Sequence, residues 1–424
     1  MVTQSTVTSN EVPTPRTIEL YGKEYALPSQ PTVVVCVDGF DPKYLEYGIE
    51  NGLMPNCKKY LETGFHVTGK SLMPSLTNPN NTSIITGVPS SIHGISGNFF
   101  LDRETRKEKM ITDDSLLRGS TILSEMSKKG VRVAAITAKD KLRMILQHDI
   151  RDGICFSSQY AAECTLEENG IENVEDWIGR PTPSQYSADL SLFVLDAGIK
   201  LLEEQRADLL YLTLSDYTHH TYAPGDKESN DFSAALDSRF GKLVELGAVL
   251  GVTADHGMSD KSKDDGSPNV LFLQDELEKR FGSDCARVIC PIADPFVKHH
   301  GALGSFVRVY VWDASNIDSM IEFCKACPQV ELALNGSDGA ALFEMPLDRE
   351  GDIVVVSKAN AVIGAKESEH DLSQLRGHRL RSHGGMSEQS LPIIMSTSVA
   401  KPEEAAKKKW KNYDIFDLVL NWKA

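Results

Sequence analysis

The feature that most constrains the fold is a short, apolar, β-branched segment that recurs along the chain and alternates with segments of helical periodicity. Strands that are apolar on both faces are typical of parallel sheets, because crossover helices cover each face. The sequence therefore predicts an α/β fold with a central, mostly parallel sheet sandwiched by helices. The predicted strands are residues 32–38, 131–137, 207–215 and 247–254, and the clearest helices are residues 187–205 and 231–247.

The order of elements becomes looser between residues 265 and 375, where strand-like and helical segments are mixed with more glycine and charge. We interpret residues 265–375 as an inserted, smaller α+β cap subdomain. Because apolar strand residues resume at 391–397, the core is predicted to comprise residues 30–264 and 376–424. Residues 1–29 are predicted to form an N-terminal extension that contains a hairpin.

Charge and cysteine content narrow the choice of partners and compartment. Against 44 Lys and Arg stand 60 Asp and Glu, and the net charge of −16 disfavours binding to nucleic acid or anionic membranes. The eight cysteines are scattered along 424 residues, unlike the dense cysteines of a disulfide scaffold. The chain also shows no signal-peptide pattern and no membrane-length apolar stretch. We therefore expect a cytoplasmic protein with no nucleic-acid or membrane partner and with a possible homodimer.

Acidic and imidazole side chains follow the predicted strands, at the end where open α/β sheets bind ligands. A D-x-x-x-H element follows one strand, so its two side chains lie one turn of helix apart. Carboxylate and imidazole together suit zinc. Each residue alone would fit a helix cap or a turn, but their combination favours a shared metal site. Two triads are predicted: Asp216, His220 and His383, and Asp38, Asp255 and His256.

A candidate nucleophile lies in the segment SLMPSLTNPNNTSIITG, residues 71–87. Residues 80–86 are predicted to form the first turns of a helix, with Pro79 at its start, where a missing N–H costs nothing. Thr77 would then lie just before the helix N-terminus, whose free N–H groups favour an oxyanion and a bound phosphoryl group. A zinc ion on the same oxygen would lower its pKa further. The alternative is that Thr77 or Asn78 only caps the helix.

These segments resemble the alkaline phosphatase superfamily and lie closest to its nucleotide pyrophosphatase/phosphodiesterase branch. The matching elements are DGFD at 38–41, T-x-P-N at 77–80, HGISGN at 93–98, D-x-x-x-H at 216–220, ADHGM at 254–258 and the late His383. The resemblance implies a central sheet between helices, two zinc ions, and a threonine or serine that becomes transiently phosphorylated.

The resemblance also implies a role for each matching residue. The ligands of the zinc ion that activates water would be Asp216, His220 and His383, and those of the zinc ion that holds Thr77 would be Asp38, Asp255 and His256. Asn98 matches the asparagine whose amide, with the backbone N–H after Thr77, binds a phosphoryl oxygen. The same ligand types also accept manganese or iron, so other divalent transition metals remain possible.

Three further segments resemble the phosphonoacetate hydrolase family almost end to end: TAKDKLR at 137–143, PIADPFVKHHGALGS at 291–305 and RSHGGMSEQ at 381–389. In that family, two lysines spaced K-x-K bind the substrate carboxylate, and they correspond here to Lys139 and Lys141. If residues 139–141 are extended, both lysines point the same way. The alternative is two solvated surface lysines. The roles of His299 and His300 are left open.

The resemblance implies zinc-dependent hydrolysis of the carbon–phosphorus bond of phosphonoacetate to acetate and phosphate, through a phosphothreonine intermediate. Breaking this bond expels a carbanion, which is tolerable only if an adjacent carboxylate delocalises the charge as an enediolate. Two ammonium groups would stabilise the charge as it grows. Two alternatives remain: a phosphodiesterase, nucleotide pyrophosphatase or phosphatase with the same zinc core, and an inactive zinc-binding protein that keeps the scaffold.

Overall fold

The computed structural model describes residues 16–293, 301–375 and 378–424, without the side chain of residue 374. Its largest sheet has seven strands, and we call it the main sheet. In spatial order these strands are Phe65–Lys70, Ser390–Met395, Val249–Thr253, Thr32–Cys36, Leu209–Thr213, Val133–Thr137 and Ile154–Ser157. The last five run parallel to one another, whereas Ser390–Met395 is antiparallel to both of its neighbours. The predicted α/β fold with a mostly parallel central sheet is confirmed.

The five parallel strands form because their residues are mostly apolar on both faces and many are β-branched. All residues of Thr32–Cys36, Leu209–Thr213 and Val249–Thr253 are buried, so neither face of these strands meets solvent. Helices pack on the sheet through apolar stripes, as Asp189–Glu203 does with Leu190, Phe193, Val194, Leu201 and other buried residues. This two-sided burial leaves the strand ends as the only part of the central sheet where polar side chains gather.

A second, smaller sheet is antiparallel and has its own apolar core. Its strands, in spatial order, are Ala286–Ile289, Phe306–Val311, Ile353–Ser357 and Val330–Asn335. They fall inside residues 265–375, the stretch predicted to be an inserted subdomain, although its exact boundaries stay a prediction. An antiparallel hairpin of Thr17–Leu20 and Lys23–Ala26 lies within the predicted N-terminal extension.

The remaining strands form three pairs: Phe99–Asp102 with Lys107–Met110, Ser259–Asp260 with Arg381–Ser382, and Val270–Phe272 with Val362–Gly364. The α-helices are Pro42–Glu50, Pro55–Thr63, Thr77–Thr86, Ser90–His93, Ile122–Lys128, Asp140–Leu146, Leu166–Asn169, Val174–Ile178, Asp189–Glu203, Tyr217–Thr221, Lys227–Glu245, Leu273–Phe281, Ile317–Ala326, Gly336–Phe343, Pro402–Lys407 and Ile415–Asp417. Within the described residues, none of these helices combines the length and the apolar character that a membrane span requires.

Candidate active site

The predicted ligands gather at the carboxyl ends of three neighbouring strands of the main sheet. Asp38 follows Thr32–Cys36, Asp216 follows Leu209–Thr213, and Asp255 and His256 follow Val249–Thr253. Because these strands are parallel and adjacent, their ends meet at one edge of the sheet. Both predicted triads are brought together, and within each triad the potential ligand atoms lie within 4.8 Å of one another.

The first cluster, Asp38, Asp255 and His256, is fully buried. Nε2 of His256 lies 3.2 Å from Oδ1 of Asp38 and 3.7 Å from Oδ2 of Asp255. Oδ1 of Asp255 accepts hydrogen bonds from the backbone N–H groups of Gly39 and His256. Asp255 is thus held by the main chain on one side and faces the cluster on the other.

The second cluster, Asp216, His220 and His383, lies beside the first. Asp216 precedes the short helix Tyr217–Thr221, and Nε2 of His220 lies 3.2 Å from Oδ2 of Asp216, as the one-turn spacing predicts. His383 arrives from a distant part of the sequence, and its ring stacks on that of His256 with centroids 3.5 Å apart. The next residue, Gly384, has a φ of 114°, a conformation that favours glycine and lets the loop turn here.

All three imidazoles of the two clusters are oriented by main-chain carbonyl groups. Nδ1 of His220 donates to the carbonyl oxygen of Arg381, Nδ1 of His256 to that of Gly257, and Nδ1 of His383 to that of Ser75. A carbonyl oxygen can only accept, so in the neutral ring Nδ1 carries the proton and Nε2 keeps its lone pair. Each ring therefore presents to its cluster the nitrogen that can bind a metal ion.

The charge balance of the site fits divalent cations. Burial, together with Asp255 and Asp216 nearby, raises the pKa of Asp38 well above its usual range. Burial disfavours the charged form of His256, but Asp255 and Asp38 outweigh it and raise the pKa of this imidazole to about 9. Neither carboxylate oxygen of Asp38 receives a hydrogen bond from the described residues. Buried carboxylates of this kind are stable when a cation neutralises them, so the donor set suits two metal ions.

Thr77 lies at the start of the helix Thr77–Thr86, as its first residue. The sequence placed the helix start near residue 80; the helix begins earlier because Leu76 is the N-cap residue, so that Pro79 lies within the first turn. Oγ1 of Thr77 is half-buried and lies 3.3 Å from Nε2 of His256. The hydroxyl group thus faces the first cluster and lies at a helix N-terminus, where a negative oxygen is favoured.

Two asparagine amides lie beside Thr77. Asn98 is buried: its backbone N–H donates to Pro291, its Nδ2 to Ile292, and its Oδ1 receives no hydrogen bond from the described residues. The side chain of Asn78 is fully buried, and neither of its polar atoms has a hydrogen-bond partner in the described part of the chain. Both residues line the pocket that Thr77 enters.

The two lysines of the K-x-K element line the same pocket as the nucleophile. The segment is not extended as the sequence suggested: Lys139 is the N-cap residue, and the helix Asp140–Leu146 places Lys141 in its first turn. The backbone N–H of Asp140 donates to Gln159, which favours this helix start. Both lysines nevertheless line the pocket, and Nζ of Lys139 also forms a short ion pair with Asp216.

The pocket joins both clusters, the hydroxyl group and the ammonium groups in one space. Its lining residues are Asp38, Thr77, Asn78, Asn98, Thr137, Lys139, Lys141, Leu142, Leu214, Asp216, Ile292 and His383. The alternative of two solvated surface lysines is disfavoured, because both residues are half-buried and line this space. His299 and His300 lie outside the described residues.

Sequence reasoning missed one residue that contacts the site from behind. Asn81 is buried in the helix Thr77–Thr86 and donates a hydrogen bond to Asp255. A sequence pattern could have indicated it, because three asparagines, at positions 78, 80 and 81, occur in a predicted helix although asparagine is a poor helix former. Buried asparagines need hydrogen-bond partners. The identity of those partners depends on how strands far away in sequence pack against this helix.

Comparisons with known proteins identify a matching family model and curated relatives. A family model described as type I phosphodiesterase/nucleotide pyrophosphatase matches residues 32–385. The human protein named bis(5'-adenosyl)-triphosphatase ENPP4 is 24% identical over 248 residues, which cover 55% of this chain and 48% of that protein. A protein named phosphonoacetate hydrolase from Penicillium oxalicum is 61% identical over 31 residues, which cover 7% of this chain and 43% of that protein. The chain thus spans about half the length, or less, of these curated relatives.

Solved structures match over nearly the whole chain. The crystal structure of phosphonoacetate hydrolase from Sinorhizobium meliloti 1021 in complex with phosphonoacetate is 44% identical, with a TM-score of 0.92, and the match covers 96% of this chain and 99% of that one. Murine ectonucleotide pyrophosphatase/phosphodiesterase 5 shares the fold, at 17% identity and a TM-score of 0.63, over 93% of this chain and 96% of that one. The chain therefore belongs to the type I phosphodiesterase/nucleotide pyrophosphatase family, a branch of the alkaline phosphatase superfamily, and is a hydrolase.

Proposed function

We propose that this protein hydrolyses the carbon–phosphorus bond of phosphonoacetate to acetate and phosphate, with two zinc ions and a phosphothreonine intermediate on Thr77. The observation that carries the proposal is that Lys139 and Lys141 line the same pocket as the Thr77 hydroxyl group and the two clusters. Two ammonium groups in the same pocket as a nucleophile suit a substrate with a phosphonate at one end and a carboxylate at the other. The 44% identical hydrolase structure in complex with phosphonoacetate supports the same substrate.

The metal ions are assigned to the two clusters: Asp38, Asp255, His256 and the Thr77 oxygen for one, and Asp216, His220 and His383 for the other. When bound, such ions neutralise the phosphonate, favour the ionised form of the Thr77 hydroxyl group and acidify a water molecule. The protein keeps the three imidazoles ready for this role through the carbonyl groups that fix their tautomers.

The chain's own residues account for the remaining steps. The Thr77 oxygen attacks phosphorus in line, a new O–P bond forms, and the C–P bond breaks with its electron pair on carbon. The Asn98 amide and the N–H of Asn78 at the helix start stabilise the phosphoryl oxygens. Lys139 and Lys141 stabilise the enediolate of acetate, which then takes a proton from water. A second water molecule attacks phosphothreonine, frees Thr77 and releases phosphate.

Within this proposal, Lys139 has a second contact, an ion pair with Asp216. Lys139 contacts a proposed metal ligand and the pocket together, so it links the substrate carboxylate to the second cluster. Lys141 lies on the helix Asp140–Leu146 and serves recognition of the carboxylate.

A cytoplasmic location and a homodimer stay predictions; the eight cysteines are free thiols, consistent with that location.

A second candidate, phosphodiester cleavage, is favoured by the family model and by the human relative named a bis(5'-adenosyl)-triphosphatase. The deciding experiment measures phosphate and acetate from phosphonoacetate, and nitrophenol from a nitrophenyl phosphodiester, with zinc present. We expect acetate and phosphate in equal amounts from the wild type. Lys139→Ala and Lys141→Ala should lose activity on phosphonoacetate, whereas the control Lys129→Ala, a change of an exposed residue, should keep it. Inert phosphonoacetate with an active diester would replace our proposal by the second candidate.

A further inference from the structure

Asn81 is buried inside the helix Thr77–Thr86, one turn after the nucleophile, where asparagine is a poor choice for helix stability. Its side chain nevertheless makes four hydrogen bonds, and none of them is needed to form a helix. A buried amide with its polar atoms satisfied on two opposite sides connects the groups that it bonds. Asn81 therefore connects the groups on its two sides.

Two pure acceptors fix the orientation of this amide. Nδ2 of Asn81 donates to the carbonyl oxygen of Thr77 at 3.0 Å and to Oδ2 of Asp255 at 3.3 Å. A carbonyl group and a carboxylate cannot donate, so the nitrogen must face them. On the other side, Oδ1 accepts from the hydroxyl groups of Tyr211, at 2.7 Å, and Thr213, at 2.8 Å. Both hydroxyl groups come from the central strand Leu209–Thr213.

The bond to Asp255 reaches the carboxylate oxygen that the main chain leaves to the cluster. Oδ1 of Asp255 already accepts from the N–H groups of Gly39 and His256, whereas Oδ2 accepts from Asn81 and lies 3.7 Å from Nε2 of His256. The same amide also donates to the main-chain carbonyl group of Thr77, and Oγ1 of Thr77 lies 3.3 Å from Nε2 of His256. One side chain thus sets the distance between nucleophile and ligand.

We propose that Asn81 is a positioning residue, which holds Oδ2 of Asp255 and the main chain of Thr77 in register so that the first cluster binds its metal ion tightly. Tyr211 and Thr213 act through Asn81 by donating to its amide oxygen and holding it in place. The inference rests on the proposed function, because it takes this cluster to be a metal site. Partners that orient metal ligands commonly change metal affinity by about 10–100-fold when removed.

The test is a zinc titration of the metal-free protein against a chromophoric chelator, which needs no turnover. Asn81→Leu removes both donated bonds at similar volume, and we expect one of the two zinc dissociation constants to rise about 10–100-fold while the other stays unchanged. Raising free zinc should then restore much of the lost activity. The matched control is Thr86→Val, because Thr86 is buried in the same helix and bonds only within it. Its two zinc constants should equal those of the wild type.

A second variant protects the test against misfolding of Asn81→Leu, which a thermal unfolding curve would reveal. Tyr211→Phe/Thr213→Val removes both hydroxyl groups and leaves Oδ1 of Asn81 without its two donors, so the amide is held less firmly. We expect a several-fold rise in the same zinc constant, and no further rise when this pair is combined with Asn81→Leu, because the hydroxyl groups act through Asn81.

The outcomes separate this inference from the proposed function. Folded Asn81→Leu with both zinc constants unchanged would overturn the inference alone, provided that the wild type binds two ions. If Tyr211→Phe/Thr213→Val raises the zinc dissociation constant equally in the wild-type and Asn81→Leu backgrounds, Tyr211 and Thr213 do not act through Asn81. A wild-type protein that binds fewer than two ions would instead overturn the metal part of the proposed function, and the positioning role with it.

Discussion

The two sides of the pocket are built differently. On the metal side, the six proposed ligands are buried at the ends of central strands or on loops tied to them, and each imidazole is fixed by a carbonyl group. On the carboxylate side, the two lysines are half-buried at the start of a short helix. The difference teaches that the metal ligands and the carboxylate-binding lysines are held by different parts of the structure, which the ion pair of Lys139 with Asp216 connects.

The largest effect on activity should come from removing the metal ions, because this empties the metal side of the pocket and leaves the lysines of the carboxylate side in place. Dialysis against a chelator should abolish phosphonoacetate hydrolysis, and added zinc should restore it. The unfolding midpoint should fall without metal and rise with zinc concentration, because buried carboxylates lose their counter-charge and ligand binding stabilises the folded state. The measurements are phosphate release and calorimetry. Full activity with no bound metal would contradict the division into two sides.

Thr77→Ala should lower kcat by about 10⁴-fold or more, since no other oxygen can form the covalent intermediate. Zinc content should stay close to that of the wild type, because six ligands remain. Acid-quenched wild-type reactions should contain phosphothreonine at residue 77 by mass spectrometry. A Thr77→Ala enzyme with near-normal turnover would show that water attacks phosphorus directly and would remove Thr77 from its proposed role.

Lys141→Ala should weaken recognition while it leaves metal binding unaltered. Loss of one charged hydrogen bond to a carboxylate corresponds to about 1.5–3 kcal/mol, or roughly 10–100-fold in kcat/KM. Binding measured by calorimetry in a Thr77→Ala background should weaken for phosphonoacetate but not for inorganic phosphate, which has no carboxylate. Equal weakening for both ligands would mean that Lys141 acts on the phosphonate side instead.

The smallest effect concerns His93, a buried histidine in the segment that leads to Asn98. Burial, then the charge of Arg349, lowers the pKa of His93 to about 3, so the folded protein holds this ring neutral. The unfolded chain therefore binds more protons below a pH of about 6.5, and stability falls as pH falls from there towards 3, by up to about 1.4 kcal/mol per unit. His93→Gln should flatten this dependence in denaturant unfolding curves. An unchanged slope would contradict a neutral His93.

Much of the metal side could be predicted from the sequence, and the reason is local. A polar residue directly after an apolar strand can only lie at the strand end, so Asp38, Asp216, Asp255 and His256 were found from position alone. His220 followed from one-turn spacing. His383 was proposed from its glycine neighbours, but nothing local indicates that its loop packs onto His256.

The carboxylate side was predicted less well because its geometry depends on long-range contacts. The K-x-K element forms an N-cap and a helix start rather than an extended strand, with Gln159 accepting from the backbone of Asp140.

Two features outside the carboxylate side also depend on long-range contacts. The antiparallel direction of Ser390–Met395 could not be predicted, because an apolar run of residues does not indicate strand direction. Asn81 was missed since its partners, Tyr211 and Thr213, lie more than a hundred residues away.

The carbonyl groups that orient the three imidazoles have a consequence for how this protein can change over time. Every residue type carries a main-chain carbonyl oxygen, so no single amino-acid replacement at Arg381, Gly257 or Ser75 deletes the acceptor itself. The ligand geometry is thereby buffered against drift in the neighbouring side chains. The opposite wall of the pocket, which relies on lysine ammonium groups, has no such protection and is where new substrate preferences can arise by point mutation.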